Sequence, residues 1–556
     1  MVNPSFSALR PADLSDPLYY LHNARTLLSW VMQAHGDLLQ TDETQLLQQL
    51  FSLPDEAQGL LFRMVMRKGE WFRRDQLKYG ELTEIDEALN TLEQTGLIDT
   101  APCCEAETLA ALCRKDELLQ LCQYLWPDKP LPRQTRKREL MQMLLEPKRP
   151  AQALLDWWPL APFRLIRLTC MPLMDRMRLM FFGNLHQDWS EFVLTELGHQ
   201  RYETVQLATD NRAFSCRSEV DLYVQLFRLQ QDLDEGADAK QLCDQLPGEC
   251  QNRWLENRRQ KLAFALAQVI EREGDTRAAL AMYRDNPHRE ARLRFLRLME
   301  KSASPERTFT SAQLAMEQIT QPEARIRIER ILQRSAKKAG RPFTPSSQTV
   351  IPQQTLELQP SGELRVEALV IQHLQTESGQ AYHVENRLFT GLFALLFWPA
   401  LFAPVKGAFF HPFQAGPADL YRPDFAGKRQ ALIDEGFKQL EDGRYRDTIL
   451  DTLQQKRGIR CSLIHWPTLD DALIENALAC IPARDLNAIF RHLLLDLRHH
   501  RRGMPDLIWL DPEQHHYRLI EVKGPNDRLQ DHQRLWMTFF VNQGIMASLC
   551  QVRFLN

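Results

Sequence analysis

Asp506, Glu521 and Lys523 put two carboxylates and an amine into segments that otherwise read as apolar strands, "GMPDLIWLDPEQHHYRLIEVKG" from Gly503 to Gly524. An isolated charge taken out of water is costly and is normally neutralised, paired or bound to a metal. These residues therefore lie on a wet edge or build a site. Strand side chains alternate, so Leu519, Glu521 and Lys523 share one face of "YRLIEVKG", with Arg518, Ile520 and Val522 on the other. "MPDLIWLD" reads as a second strand and "PEQHH" as the connection, and pairing the two brings Asp506 within reach of Glu521. Two carboxylates beside a backbone carbonyl offer hard oxygen ligands to Mg²⁺ or Mn²⁺. Such an ion polarises a phosphodiester, lowers the pKa of a bound water and offsets charge on the phosphoryl oxygens. The lysine would orient or help deprotonate that water, or stabilise the phosphorane-like state.

Asp506, then Glu521 fifteen residues on, then Lys523 make the PD-(D/E)xK pattern. A solvent-exposed hairpin with a Glu–Lys salt bridge matches it equally well, so the neighbours carry the weight. "GPNDRLQDHQRLWMTFFVNQGIMASLCQVRF" predicts a helix bearing Gln533 and Trp536 and then a strand. "HVENRLFTGLFALLF" places Glu385 at the start of an apolar helix, where a third carboxylate can join the metal. The basic run Arg498, His499, His500, Arg501 and Arg502 arrives just before Asp506, where an incoming phosphate chain meets it first. His499, His500, His515 and His516 are read as loop or helix-end residues rather than ligands, because adjacent strand residues face opposite ways.

The chain that must position this site has 556 residues, 44% of them hydrophobic and 25% charged, enough for about three or four domains. Its net charge of −4 supplies no global attraction for nucleic acid, so contacts with DNA must come from local patches. Eleven cysteines without a CxxC spacing read as reduced thiols of an intracellular protein, in the cytoplasm or nucleoid of a bacterium or the nucleus of a eukaryote. No signal peptide is expected, and Pro399 and Pro404 break the longest apolar run, "LFTGLFALLFWPALFAPV", which reads as a buried helix rather than a membrane span.

Residues 1–100 read as a helical, winged-helix-like DNA-binding module in which Arg67, Lys68, Arg73 and Arg74 interleave with Trp71 and Phe72. Residues 101–150 read as a helix pair resembling the SAP motif, with Thr135 as N-cap and Arg136, Lys137 and Arg138 opposing the helix dipole in a way a phosphate would relieve. Residues 151–340 read as tetratricopeptide-like helical repeats open to protein partners, and the Pro/Ser/Gln-rich 341–360 as a linker. The last domain, 361–556, carries the site, with a helical insertion at about 425–500. The fold expected is multidomain and mainly α, ending in an α/β domain with a mixed sheet.

"HVENRLFTGLFALLFWPALFAPVKGAFFHPFQAGPADLY", "RGMPDLIWL" and "LIEVKGPNDRLQDHQRLW" resemble the VRR-NUC domain, and the whole chain resembles a compact bacterial-type member of the Fanconi-associated nuclease family. The resemblance implies a metal-dependent nuclease that cuts 5′ flaps, trims duplex DNA from 5′ to 3′ and serves interstrand-crosslink repair. It also implies Glu385, Asp506, Glu521 and the Val522 carbonyl as metal ligands, Lys523 as the catalytic lysine, and branched DNA as partner. A junction resolvase with the same metal site, and a non-catalytic DNA-binding scaffold, are the alternatives.

Overall fold

The computed structural model describes residues 16–146, 148–190, 201–319, 322–345, 349–359, 364–375 and 379–555. Parts of the expected repeat region and linker, 191–200, 320–321, 346–348 and 360, lie outside the described residues. The chain divides into two units, Met1–His199 and Gln200–Asn556.

In the first unit, helices Tyr19–His35, Thr41–Ser52, Asp55–Val65 and Ile85–Gln94 bury their apolar stripes around two short strands, Trp71–Arg73 (β1) and Ile98–Asp99 (β2). Those strands do not pair with each other. Cys103–Cys104 (β3) pairs with Gln152–Ala153 (β4), and Leu165–Leu168 (β5) inserts between β1 and β2 in the order β1-β5-β2. The apolar Leu165, Ile166 and Leu168 thus supply the central strand of a sheet whose outer strands lie within residues 1–100. The helix pair is Lys115–Leu125 and Lys137–Leu145, joined through Leu118, Leu121, Cys122, Leu140 and Leu144. Thr135 does not cap the second helix; its hydroxyl donates to the Pro132 carbonyl, and Glu139 reaches back to the Arg136 N–H instead.

The second unit opens with successive helices from Arg217 to Ala339, with side-chain caps at Asn252, Asp275 and Ser304. Gln353–Leu358 (β6) then forms a strand where a linker was expected. Its side chains are all exposed or half-buried, so "QQTLEL" carries little apolar signal, yet it adds a parallel edge to the sheet. Gln380–His383 (β7), Leu507–Asp511 (β8), His516–Lys523 (β9) and Ala547–Phe554 (β10) complete a mixed sheet in the order β6-β10-β9-β8-β7. The apolar run forms the short helices Arg387–Leu396 and Trp398–Leu401, and every residue from Leu388 to Leu396 is buried. Helices Gln430–Asp442, Tyr445–Lys456, Asp471–Cys480 and Ala483–Leu495 share their core. No helix among the described residues is long and apolar enough to cross a membrane.

Candidate active site

β8 and β9 are antiparallel, with Leu507 opposite Ile520 and Ile508 opposite Leu519. One step further along this register Asp506 faces Glu521 at the sheet end. β7 runs beside β8 up to the pair His383–Leu507, which delivers Glu385 to the same place. Asp506 ties the three chains together. Its carbonyl accepts from the Val384 and Glu385 N–H groups at 2.9 and 3.0 Å, and its Oδ2 accepts from the Val522 N–H at 2.9 Å.

Glu385 adopts φ +30, a conformation that costs a non-glycine residue about 1 kcal/mol or more. The next residue holds it there: Asn386 donates from Nδ2 to the Glu385 Oε1 at 3.1 Å and accepts at Oδ1 from the Met504 N–H at 3.1 Å. Gln551, on β10, donates to the carbonyls of Lys523 and Gly524 at 3.3 and 2.8 Å. Sequence reading assigned no role to Asn386 or Gln551; position next to Glu385 was the only clue to the first, and nothing local pointed to the second.

Glu521 is fully buried and Lys523 nearly so, which removes the wet-edge reading. Lys523 Nζ lies 2.8 Å from Glu521 Oε1, whereas the buried Oε2 has no hydrogen-bond donor. Burial, then repulsion from Asp506 and Glu385, pushes the Glu521 carboxyl up to about 7 against the pull of Lys523. Burial likewise raises Asp506, helped by Glu367 and Glu385 and opposed by the Val522 N–H and Lys523. As the side chains stand, no group of three or more His, Cys, Asp or Glu among the described residues is gathered tightly enough to hold a metal ion. The donor chemistry nevertheless fits one: mutually repelling carboxylates, one of whose oxygens, Glu521 Oε2, is buried without a donor, are relieved by a hard cation.

Immediately before the site the chain turns at Gly503, whose φ is +85 and where a Cβ would stand 2.6 Å from His532 Cδ2 and 2.8 Å from the His532 carbonyl oxygen. A cavity of about 630 Å³ opens there, lined by Arg327, Tyr421, Arg498, Arg501, Arg502 and His532 among others. Arg501 donates to the Tyr421 hydroxyl at 2.9 Å and lies 4.5 Å over that ring, while Arg498 and Arg502 are exposed.

The other cations divide sharply. Arg73 is 2% exposed, paired with Glu117 at 2.6 Å and Asp75 at 2.9 Å and stacked 3.9 Å over Phe163, so it joins parts of the fold and does not face a ligand. Arg74 is held by both oxygens of Asp86 at 2.7 and 2.8 Å. Arg67, Lys68, Arg136 and Arg138 are exposed, and Lys137 is half-buried, donating to the Cys113 carbonyl at 2.7 Å. Gln533 accepts from the Gln530 N–H and caps the Asp531–Asn542 helix. His499 pairs with Asp496 and Arg289, His500 stacks on His492, and His515 and His516 bond a carbonyl and a thioether.

Two family models match the chain, the VRR-NUC domain over residues 440–554 and the FAN1 HTH domain over residues 18–99. A Fanconi-associated nuclease 1 homolog of Pseudomonas aeruginosa is 41% identical over 549 residues, covering 97% of this chain and 96% of the relative. The homolog of Oryza sativa is 26% identical, covering 96% of this chain and 62% of its own length, and Fanconi-associated nuclease 1 of Homo sapiens is 30% identical over 34% of this chain and 19% of its own. A crystal structure of paFAN1 bound to 2nt 5′ flap DNA with gap superposes with a TM-score of 0.85 at 40% identity, covering 98% of this chain and 100% of that one.

Proposed function

The chain belongs to the Fanconi-associated nuclease family, whose VRR-NUC domain implies a divalent-metal-dependent DNA nuclease, and from that premise we propose that it hydrolyses phosphodiesters in 5′-flapped and other branched duplexes during DNA repair, interstrand-crosslink repair above all. Mg²⁺ or Mn²⁺ is the cation, Glu385, Asp506, Glu521 and the Val522 carbonyl its ligands. When bound, the ion supplies Lewis-acid activation of the phosphate and a water of lowered pKa. Asp506 fixes the geometry, because its main chain positions Glu385 and its side chain positions Val522. Lys523 holds a proton beside Glu521 and, from there, orients the attacking water or offsets charge on the phosphate. Arg498, Arg501 and Arg502 receive the DNA backbone at the cleft, and Arg136 and Arg138 receive it in the first unit, with Lys137 contributing beside them.

The observation that carries this reading is the fully buried Glu521 carboxylate, opposite Asp506 and with Oε2 lacking any hydrogen-bond donor. A carboxylate that only salt-bridged in a scaffold protein would gain by pairing at the surface. End-labelled 5′-flap duplex incubated with Mn²⁺ is expected to be cut by the wild type. Asp506→Ala is expected to lose cleavage while keeping DNA affinity, and undiminished cleavage by that variant rejects the reading.

A further inference from the structure

Asn386 stands where the Arg387–Leu396 helix begins, a position at which an asparagine side chain ordinarily accepts from a helix N–H. It makes no such cap here. Its amide engages two groups outside the helix instead: Nδ2 donates to Glu385 Oε1 at 3.1 Å, and Oδ1 accepts at 3.1 Å from the N–H of Met504, 118 residues further along the chain. One partner is an acceptor and the other a donor, so the reversed amide would set N–H against N–H and oxygen against carboxylate. The amide therefore has one orientation, and through it the Glu385 carboxylate is tied to the Met504 main chain.

The Met504 end of this tie is firmly held. Met504 is buried, Gly503 beside it packs against the His532 main chain, and the His500 carbonyl accepts from the indole N–H of the buried Trp536 at 2.9 Å. Asp506 follows directly in the same segment, so the tie sets the Glu385 side chain against the stretch that delivers the other acid. Main-chain bonds to the Asp506 carbonyl fix where Glu385 starts, yet a glutamate carboxylate lies beyond several rotatable bonds that they do not hold. Asn386 removes part of that freedom. It does so as a neutral donor, which orients a carboxylate without compensating its charge, whereas an arginine or lysine would compete with a cation for it.

We propose that Asn386 is a positioning residue of the nuclease, which aims the Glu385 carboxylate by anchoring it to the Met504 main chain. The assignment rests on the metal-dependent reading above. Calorimetric titration of the full chain with Mn²⁺, without DNA, tests it apart from turnover, and kcat and KM on a 5′-flap duplex test it in the reaction. Asn386→Ala is expected to weaken Mn²⁺ binding about ten- to a hundredfold and to lower kcat by a similar factor, with KM changed by less than about twofold. In a Glu385→Ala background the same substitution is expected to weaken Mn²⁺ binding no further, because Asn386 acts through that carboxylate. A further, additive loss there would overturn the assignment. Asn386→Asp has the shape of the wild type and keeps an acceptor for Met504 but has no donor for Glu385, and it is expected to lower kcat about tenfold or more. Wild-type kcat in Asn386→Asp would show that only the Met504 contact matters and would equally overturn it. Glu385→Ala separates the two failures: if it leaves Mn²⁺ affinity and kcat unchanged, the metal site itself is refuted, whereas loss in Glu385→Ala with none in Asn386→Ala refutes Asn386 alone.

Discussion

Lys523 stands 2.8 Å from a Glu521 carboxylate that is wholly buried and receives no other donor. The pair is a balance in which each charge is expensive without the other. Lys523→Ala is therefore expected to destabilise the metal-free protein by about 3 kcal/mol at pH 8, where Glu521 must ionise alone or take up a proton. At pH 5.5 the Glu521 carboxyl, raised to about 7, is already protonated, and the same substitution is expected to cost much less. Calorimetric unfolding in EDTA at the two pH values checks this. Equal losses at both would mean that the ammonium does not compensate the carboxylate.

The raised carboxyls also set how metal-free stability depends on pH. Between the ordinary glutamate value of 4.5 and the folded value of about 7, the folded state holds a proton on Glu521 that the unfolded chain has released. Stability therefore falls as pH rises through that window, by about 3 kcal/mol in total, with Asp506 adding in the same direction. Glu521→Gln is expected to flatten the fall. A bound cation takes the proton's place, so Mn²⁺ is expected to stabilise the wild type more at pH 8 than at pH 5. Melting temperatures from pH 5 to 8, with and without Mn²⁺, read both effects.

The residues around Asp506 and Glu521 were legible in sequence because their spacing and the two-residue strand period already fix a shared face, and the register of β8 and β9 realises it. Glu385 was legible as a carboxylate at the start of an apolar helix. β6 was not, since an edge strand open on one side needs no apolar alternation, and β5 was not, since its partners in β1 and β2 lie far away in the chain. Arg73 shows the same limit from the other side. A basic residue beside aromatics reads the same in sequence whether it meets a phosphate or is enclosed by Asp75, Glu117 and Phe163. Charge type is local information, whereas its counter-charges come from tertiary pairing.

That enclosure predicts opposite phenotypes for neighbouring cations. Arg73→Ala removes a buried guanidinium and its stacking on Phe163, leaves the half-buried Glu117 without its ion-pair partner, and is expected to cost the first unit about 3 kcal/mol. Arg136→Ala and Arg138→Ala remove exposed charges and are expected to change stability by no more than about 0.5 kcal/mol. Their effect is expected in DNA binding instead, as a weaker affinity and a shallower dependence on salt. Differential scanning calorimetry beside fluorescence anisotropy at several salt concentrations separates the two classes.

The cleft before Asp506 makes a sharper distinction between two adjacent arginines. Arg502 is exposed, and Arg502→Ala is expected to lower the slope of log affinity against log salt by about 1 with the melting temperature unchanged. Arg501 is built into the wall: it donates to the Tyr421 hydroxyl, stacks on the ring, and keeps a buried Nε with no acceptor of its own. A buried donor left unsatisfied costs about 1–3 kcal/mol, a cost that a phosphate oxygen placed in the cleft would remove. Arg501→Ala is accordingly expected to reduce DNA affinity more than Arg502→Ala, and Arg501→Lys, which has no planar fork and no Nε, to recover only part of it. Equal affinities for Arg501→Lys and wild type would mean that the guanidinium serves the Tyr421 contact and no phosphate.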